Sequence, residues 1–152
     1  MAGQAPQISI PQLPHLKAVV ITAAWHPEIC DALVAGAVRG FQAAGISNPT
    51  TRMVAGSFEL PLAAQLAFDE GFDVAVIVGL VLRGETPHFD YVCQGVTQGV
   101  MDVCLSRSKP IGFGVLMCDN LEQATARAGL PGSKEDKGYD SALAALSVIN
   151  KA

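Results

Sequence analysis

Asp73-Val74-Ala75-Val76-Ile77-Val78-Gly79-Leu80-Val81-Leu82 has almost no polar side chain, and Arg83-Gly84-Glu85-Thr86-Pro87-His88 follows it directly. The run is far too short to span a bilayer. Its β-branched residues favour a strand, and an unbroken apolar run marks a parallel strand buried on both faces. Working outward, Lys17–Thr22 is a second β-branched run. Pro27 and Glu28 then suit the first turn of a helix, and Cys30, Val34, Ala37, Phe41 and Ala44 recur on one helical face until Gly45 stops it. Thr50–Ala55 reads as a strand, Gly56-Ser57 as a turn, and Pro61 as the opening of a helix ending near Gly71. A helix begins near His88 with the apolar stripe Phe89, Val92, Cys93, Val96, Val100, Val103 and Cys104. Ile111–Met117 forms the last strand, followed by helices near Leu121–Ala128 and Lys137–Lys151.

Strand and helix alternate without a break, which calls for parallel strands joined by right-handed crossovers. The expected fold class is α/β: a three-layer α/β/α sandwich, flavodoxin-like, with a central four-stranded parallel sheet. Pro6, Pro11 and Pro14 in a polar stretch make residues 1–15 an extended N-terminal arm, leaving 16–152 as a single domain. Gly95 and Gly99 stand four apart in the helix after His88. Each costs about 1 kcal/mol of helix propensity against alanine. The pair is expected to admit another backbone, such as a neighbouring subunit's helix.

Apolar residues make up 50% of the 152-residue chain and charged residues 16%, against about 25% charge in ordinary domains. The deficit fits either an oligomer that covers part of the outer surface or a compact monomer with long buried strands. A net charge of −4 and no basic run speak against nucleic acid. No stretch is long enough for a membrane, and the N-terminus does not read as a secretory signal. Cys30, Cys93, Cys104 and Cys118 lack C-x-x-C spacing. Buried free thiols in a reducing cytoplasm are the expectation, with no metal.

In such sheets ligands sit beyond the carboxyl ends of the strands. Those ends carry Ala24-Trp25-His26, Gly56-Ser57-Phe58-Glu59, and Val81-Leu82-Arg83-Gly84-Glu85-Thr86 leading to His88. Gly84-Glu85-Thr86 precedes a helix whose exposed N–H groups attract phosphate; alternatively Thr86 is simply the helix cap. His88 can move a proton near neutral pH or serve as a capping surface residue. Trp25, the single tryptophan, stacks on a heteroaromatic ring or fills the core. His26 caps the next helix or borders the site, and His15 lies in the arm. Phe113 lies near the start of the last strand, at the opposite edge from Trp25 and His88, so it either contacts a neighbouring chain's ligand or is simply a partly buried phenylalanine. Arg127 and Lys137 bind phosphate or are solvated surface charges.

Taken together, Gly56-Ser57-Phe58-Glu59-Leu60-Pro61, Arg83 through Val92, Thr97-Gln98-Gly99, Pro110 through Leu116, Glu122-Gln123-Ala124, Arg127-Ala128-Gly129 and Asp136-Lys137-Gly138 resemble the lumazine synthase family. The resemblance runs from about Leu16 to Asn150. It implies a transferase of riboflavin biosynthesis that condenses 5-amino-6-(ribitylamino)uracil with 3,4-dihydroxy-2-butanone 4-phosphate, without a metal or redox cofactor. By the same resemblance, Trp25 stacks on the pyrimidine and Ser57, Phe58 and Glu59 line the ribityl and ring pocket. Val81 and Leu82 offer backbone groups to the uracil. Gly84, Glu85 and Thr86 hold the phosphate with Arg127, and His88 shuttles protons. Phe113, Arg127 and Lys137 resemble the portion lent by an adjacent subunit.

Family members assemble as pentamers, decamers or shells of twelve pentamers. Gly129–Gly138 is slightly longer than the tight connection associated with shells, which favours a free pentamer. His26 and Glu85 depart from the residues common at those positions, asparagine and a neutral residue. Two rival readings stand beside this one. The first is a non-catalytic relative that binds riboflavin or a lumazine. The second is an unrelated flavodoxin-like nucleotide-binding module that works as a monomer.

Overall fold

A computed structural model describes residues 3–149. The strands are β1 (Ala18–Ala23), β2 (Thr50–Val54), β3 (Val74–Leu82) and β4 (Ile111–Cys118). The helices are α1 (Pro27–Ala43), α2 (Leu60–Asp69), α3 (His88–Arg107), α4 (Leu121–Thr125) and α5 (Lys137–Ile149). All strand pairs are parallel, in the order β2-β1-β3-β4. The α/β sandwich and the central place of β3 agree with the sequence. The expected continuation of the last helix to Lys151 lies outside the described residues.

Alternation along β3 builds the three layers. Val74, Val76, Val78 and Leu80 point to one side, where they meet Leu33, Ala37 and Phe41 of α1 and Ala142 and Leu146 of α5. Ala75 and Ile77 point to the other, where they meet Leu60, Ala64 and Phe68 of α2 and Val96 and Val100 of α3. Each such side chain contributes roughly 1.5–3 kcal/mol when fully buried. Exposed ion pairs contribute far less, so the apolar faces hold the layers together.

Helices α1 and α5 approach unusually closely. A Cβ on Gly138 would overlap the Leu33 carbonyl, so only glycine allows the first turn of α5 to sit on α1. Asp136 fastens the same corner: its Oδ1 accepts from the Tyr139 N–H at 3.1 Å, and its carboxylate pairs with Arg39. The Asp136-Lys137-Gly138 motif is thus two structural residues flanking one lysine.

The arm has no helix or strand over residues 5–13, but its far end is docked. The Gln12 amide donates to the Ala43 carbonyl at 2.9 Å, and the Leu13 N–H to the Ala44 carbonyl at 2.7 Å. Those carbonyls at the end of α1 would otherwise lack partners.

Four details differ from the sequence reading. Gly95 and Gly99 are packed against this chain itself: a Cβ on Gly95 would stand 2.9 Å from the Phe58 ring, and one on Gly99 2.9 Å from Pro61 Cβ, in the first turn of α2. Helix α4 ends at Thr125, not near Ala128, because the chain turns back there and Ala128 bridges to Asp136. A 3₁₀ turn, Ser57–Glu59, precedes α2. Only Cys30 and Cys118 are buried; Cys93 and Cys104 are half-buried, and all four thiols are free. Desolvation still raises the pKa of each, largely keeping the thiol form at neutral pH.

The surface is rich in apolar side chains. Phe58, Leu62, Leu66, Tyr91 and Leu105 are all more than half exposed along α2, α3 and the turn before them. Among the described residues, no helix is long and apolar enough to cross a membrane.

Candidate active site

β1 and β3 are neighbours, yet the helices after them leave to opposite faces, α1 to one core and α3 to the other. A crevice opens where the connections diverge, and in parallel sheets this is where ligands bind. Trp25 follows β1 into this place and His88 follows β3.

Trp25 is 67% exposed, which removes the core alternative for it. Its backbone is held by the Cys30 thiol, which donates to the Trp25 carbonyl at 3.0 Å. His26 takes a left-handed conformation, φ 54°, as the N-cap residue of α1, but its side chain makes no capping bond. That strained backbone turns the chain sharply from strand to helix beside the indole. Glu59 shares the neighbourhood. A Cβ on Gly56 would stand 3.2 Å from Glu59 Oε2 and 3.6 Å from the indole, so Gly56 lets both approach. Phe58 lies across α3 against Gly95. Ser57 is buried, and its Oγ fills the space where a Cβ on Gly79 would stand.

Val81 and Leu82 end β3 half-buried, opposite Met117 and Cys118. The ladder carries on one step further, with the Arg83 N–H donating to the Cys118 carbonyl at 2.9 Å. Gly84, Glu85, Thr86 and His88 are all exposed, and a Cβ on Gly84 would meet nothing within 4 Å. Thr86 is not the cap residue of α3; Pro87 is, though Thr86 Oγ1 accepts from the His88 N–H at 3.4 Å. The loop is therefore an open turn of backbone leading into a helix N-terminus, a geometry suited to an anion.

Arg83 was not singled out from the sequence, yet it braces this loop. Its Nε donates to Asp119 at 2.8 Å, its Nη1 lies 3.4 Å from Asp90, and its guanidinium stacks on Phe89 at 4.3 Å. It thereby ties the end of β3 to the end of β4 and to the first turn of α3. No periodic pattern announces such a residue, since all three contacts are long-range or depend on side-chain direction.

A second group of residues stands apart. Phe113 pairs with Ile77, five strand positions before Leu82, roughly 16 Å from the carboxyl end of β3 at strand rise. A cavity of about 660 Å³ runs along β4, between the last turns of α3 and one side of α5, and both Phe113 and Lys137 line it. This cavity is not the crevice at the strand ends. Arg127 lies past the end of β4. Its Nη1 donates to the Gln123 carbonyl at 2.8 Å, and its Nε stands 3.6 Å from Glu135. Lys137 Nζ lies 3.3 Å from the same carboxylate. The two cations are therefore ion-paired, not simply solvated, and Glu135 is a residue the sequence reading passed over. It sits in a loop, where spacing carries no signal.

One chain thus presents an aromatic, a carboxylate, an open turn and a histidine at its crevice. Along the β4 cavity it presents Phe113 and Lys137, with Arg127 joined to Lys137 through Glu135. Fold and site together define a doubly wound α/β protein with an exposed histidine and an open turn beyond the carboxyl ends of its strands. The model of the 6,7-dimethyl-8-ribityllumazine synthase family matches residues 15–152. A 6,7-dimethyl-8-ribityllumazine synthase of Streptomyces coelicolor is 49% identical over 148 residues, covering 97% of this chain and 92% of its own. One from an Arthrobacter species is 50% identical over 154 residues, covering 97% and 94%. One from Cutibacterium acnes is 46% identical over 145 residues, covering 95% and 87%. The chain belongs to the 6,7-dimethyl-8-ribityllumazine synthase family.

Proposed function

We propose that the protein forms 6,7-dimethyl-8-ribityllumazine at a site shared between adjacent subunits. It is a transferase of riboflavin biosynthesis, joining 5-amino-6-(ribitylamino)uracil to 3,4-dihydroxy-2-butanone 4-phosphate. The amino group attacks the ketone and water leaves, giving an imine. Inorganic phosphate is eliminated, the ribitylamino nitrogen closes the second ring, and a further water departs.

In this reading Trp25 stacks on the pyrimidine, Glu59 accepts from ribityl hydroxyls, and Ser57 and Phe58 wall the pocket. Val81 and Leu82 offer backbone groups to the uracil. Gly84, Glu85 and Thr86 cradle the phosphate through their backbone and the Thr86 hydroxyl, with Arg127 as its cation. His88 carries protons between the reacting nitrogen and oxygen atoms. Phe113 and Lys137 close the pyrimidine side from the next subunit. Holding two substrates in register can contribute roughly 7–11 kcal/mol, so positioning supplies much of the rate.

The observation that carries the shared site is the distance between the two groups. Phe113 lies about 16 Å down the sheet from the end of β3, so one copy does not bring it to its own Trp25 and His88. A homo-oligomer solves this, and the exposed apolar side chains of α2 and α3 give it a surface to form on. A pentamer in the cytoplasm is the assembly and place we favour, with residues 1–15 as an arm on the domain 16–152. The test mixes both substrates with micromolar protein and follows lumazine absorbance and fluorescence. Product formation is expected; its absence, with substrates still bound, would favour a non-catalytic lumazine or flavin binder.

A further inference from the structure

Arg127 and Lys137 share one carboxylate. Glu135 Oε2 stands 3.6 Å from Arg127 Nε, and Oε1 stands 3.3 Å from Lys137 Nζ. Nε belongs to the side-on edge of a guanidinium, the edge that grips an oxyanion with two parallel N–H groups. The carboxylate therefore stands where a phosphate would make its best contact with Arg127.

Glu135 is not what positions Arg127. Strong charge-assisted bonds run about 2.7–2.9 Å, and both of these are longer. Arg127 is placed by other means: its Nη1 donates to the Gln123 carbonyl at 2.8 Å, and its own carbonyl accepts from the Lys137 N–H at 3.0 Å. Glu135 is itself held by its backbone, its N–H donating to Ala126 and its carbonyl accepting from Gly129, both at 3.0 Å. Its side chain is 34% exposed, so water can receive it if it swings away. Its contribution to Arg127 is charge, not placement.

We infer that Glu135 is a built-in competitor for phosphate, occupying the Nε edge of Arg127 and weakening its grip on inorganic phosphate so that it is released. The inference rests on the reading of Arg127 as the phosphate cation. A phosphate monoester carries a charge of about −1.5 to −2 near neutral pH, enough to displace a single carboxylate when the rest of the substrate is also bound. Inorganic phosphate alone, without those additional contacts, is more easily displaced in turn.

The experiment measures inhibition by inorganic phosphate at constant ionic strength, using the full-length protein and both substrates. In Glu135→Gln the inhibition constant is expected to fall about two- to five-fold, the span of a partly exposed ion pair. The KM for the phosphorylated ketone should fall with it by a similar factor. Glu135→Ala should shift phosphate inhibition in the same direction, separating charge from amide hydrogen bonding. A role in positioning Arg127 predicts the opposite sign, so unchanged or weaker phosphate inhibition in both variants overturns the inference. Arg127→Ala separates the two layers. If it leaves phosphate inhibition unaltered, the Arg127 assignment itself falls. If it weakens inhibition while the Glu135 variants do not strengthen it, the competitor role alone falls.

Discussion

His88 is exposed at the first turn of α3, free of any side-chain hydrogen bond among the described residues, with its backbone N–H turned to Thr86. Such a group is positioned by its helix and open to whatever fills the crevice. His88→Ala should lower kcat about 10²-fold, the low end for a positioned acid–base group, with little change in either KM. Steady-state kinetics on both substrates check this, and a kcat close to the parent's would remove His88 from proton transfer. His88, Trp25 and the 84–86 turn were legible because each follows directly from a strand end. Arg83 and Glu135 were not: the Arg83–Asp119 pair joins residues distant in sequence, and Glu135 sits in a loop, where spacing carries no signal. Ser57 shows a related limit. The resemblance assigns it to the ligand pocket, but its burial against Gly79 depends on the packing of the 3₁₀ turn on β3.

Elements were read more reliably than their ends. Strand and helix order follows from apolar period, and β3 from its unbroken apolar run, because burial on both faces is a property of the strand itself. The early end of α4 was hidden because the Ala128–Asp136 bridge pairs residues across a loop. Gly95 and Gly99 misled for a comparable reason: small residues signal close approach without naming what approaches. Gly95 faces the Phe58 ring, which is 62% exposed and can move. Gly95→Ala should therefore gain about 1 kcal/mol of helix propensity, offset in part by the displaced ring, and leave the melting temperature unchanged or slightly higher. The same displacement should raise the KM for the pyrimidine several-fold, as Phe58 walls its pocket. Thermal melts and substrate titration together check this; a lower melting temperature with an unaltered KM would show Phe58 to be a packing residue only.

At the scale of the molecule, the proposed shared site would make the crevice and the β4 groove two half-sites facing different neighbours. A shared site predicts complementation: His88→Ala and Phe113→Ala chains, each weak alone, should regain activity when unfolded together and reassembled, since some interfaces then pair two intact halves. Mixed assemblies no more active than either parent would confine the site to one chain. The neck of the segment between α4 and α5 has a separate consequence. The Lys137 N–H bonds to the Arg127 carbonyl, Ala128 bridges to Asp136, and Gly138 abuts Leu33, while Pro131 and Gly132 project into open space. Cinched at its base, this segment behaves like a handle. Foreign peptide spliced into its tip would extend away from the fold and leave the charges below in register, making it a natural place for an insertion.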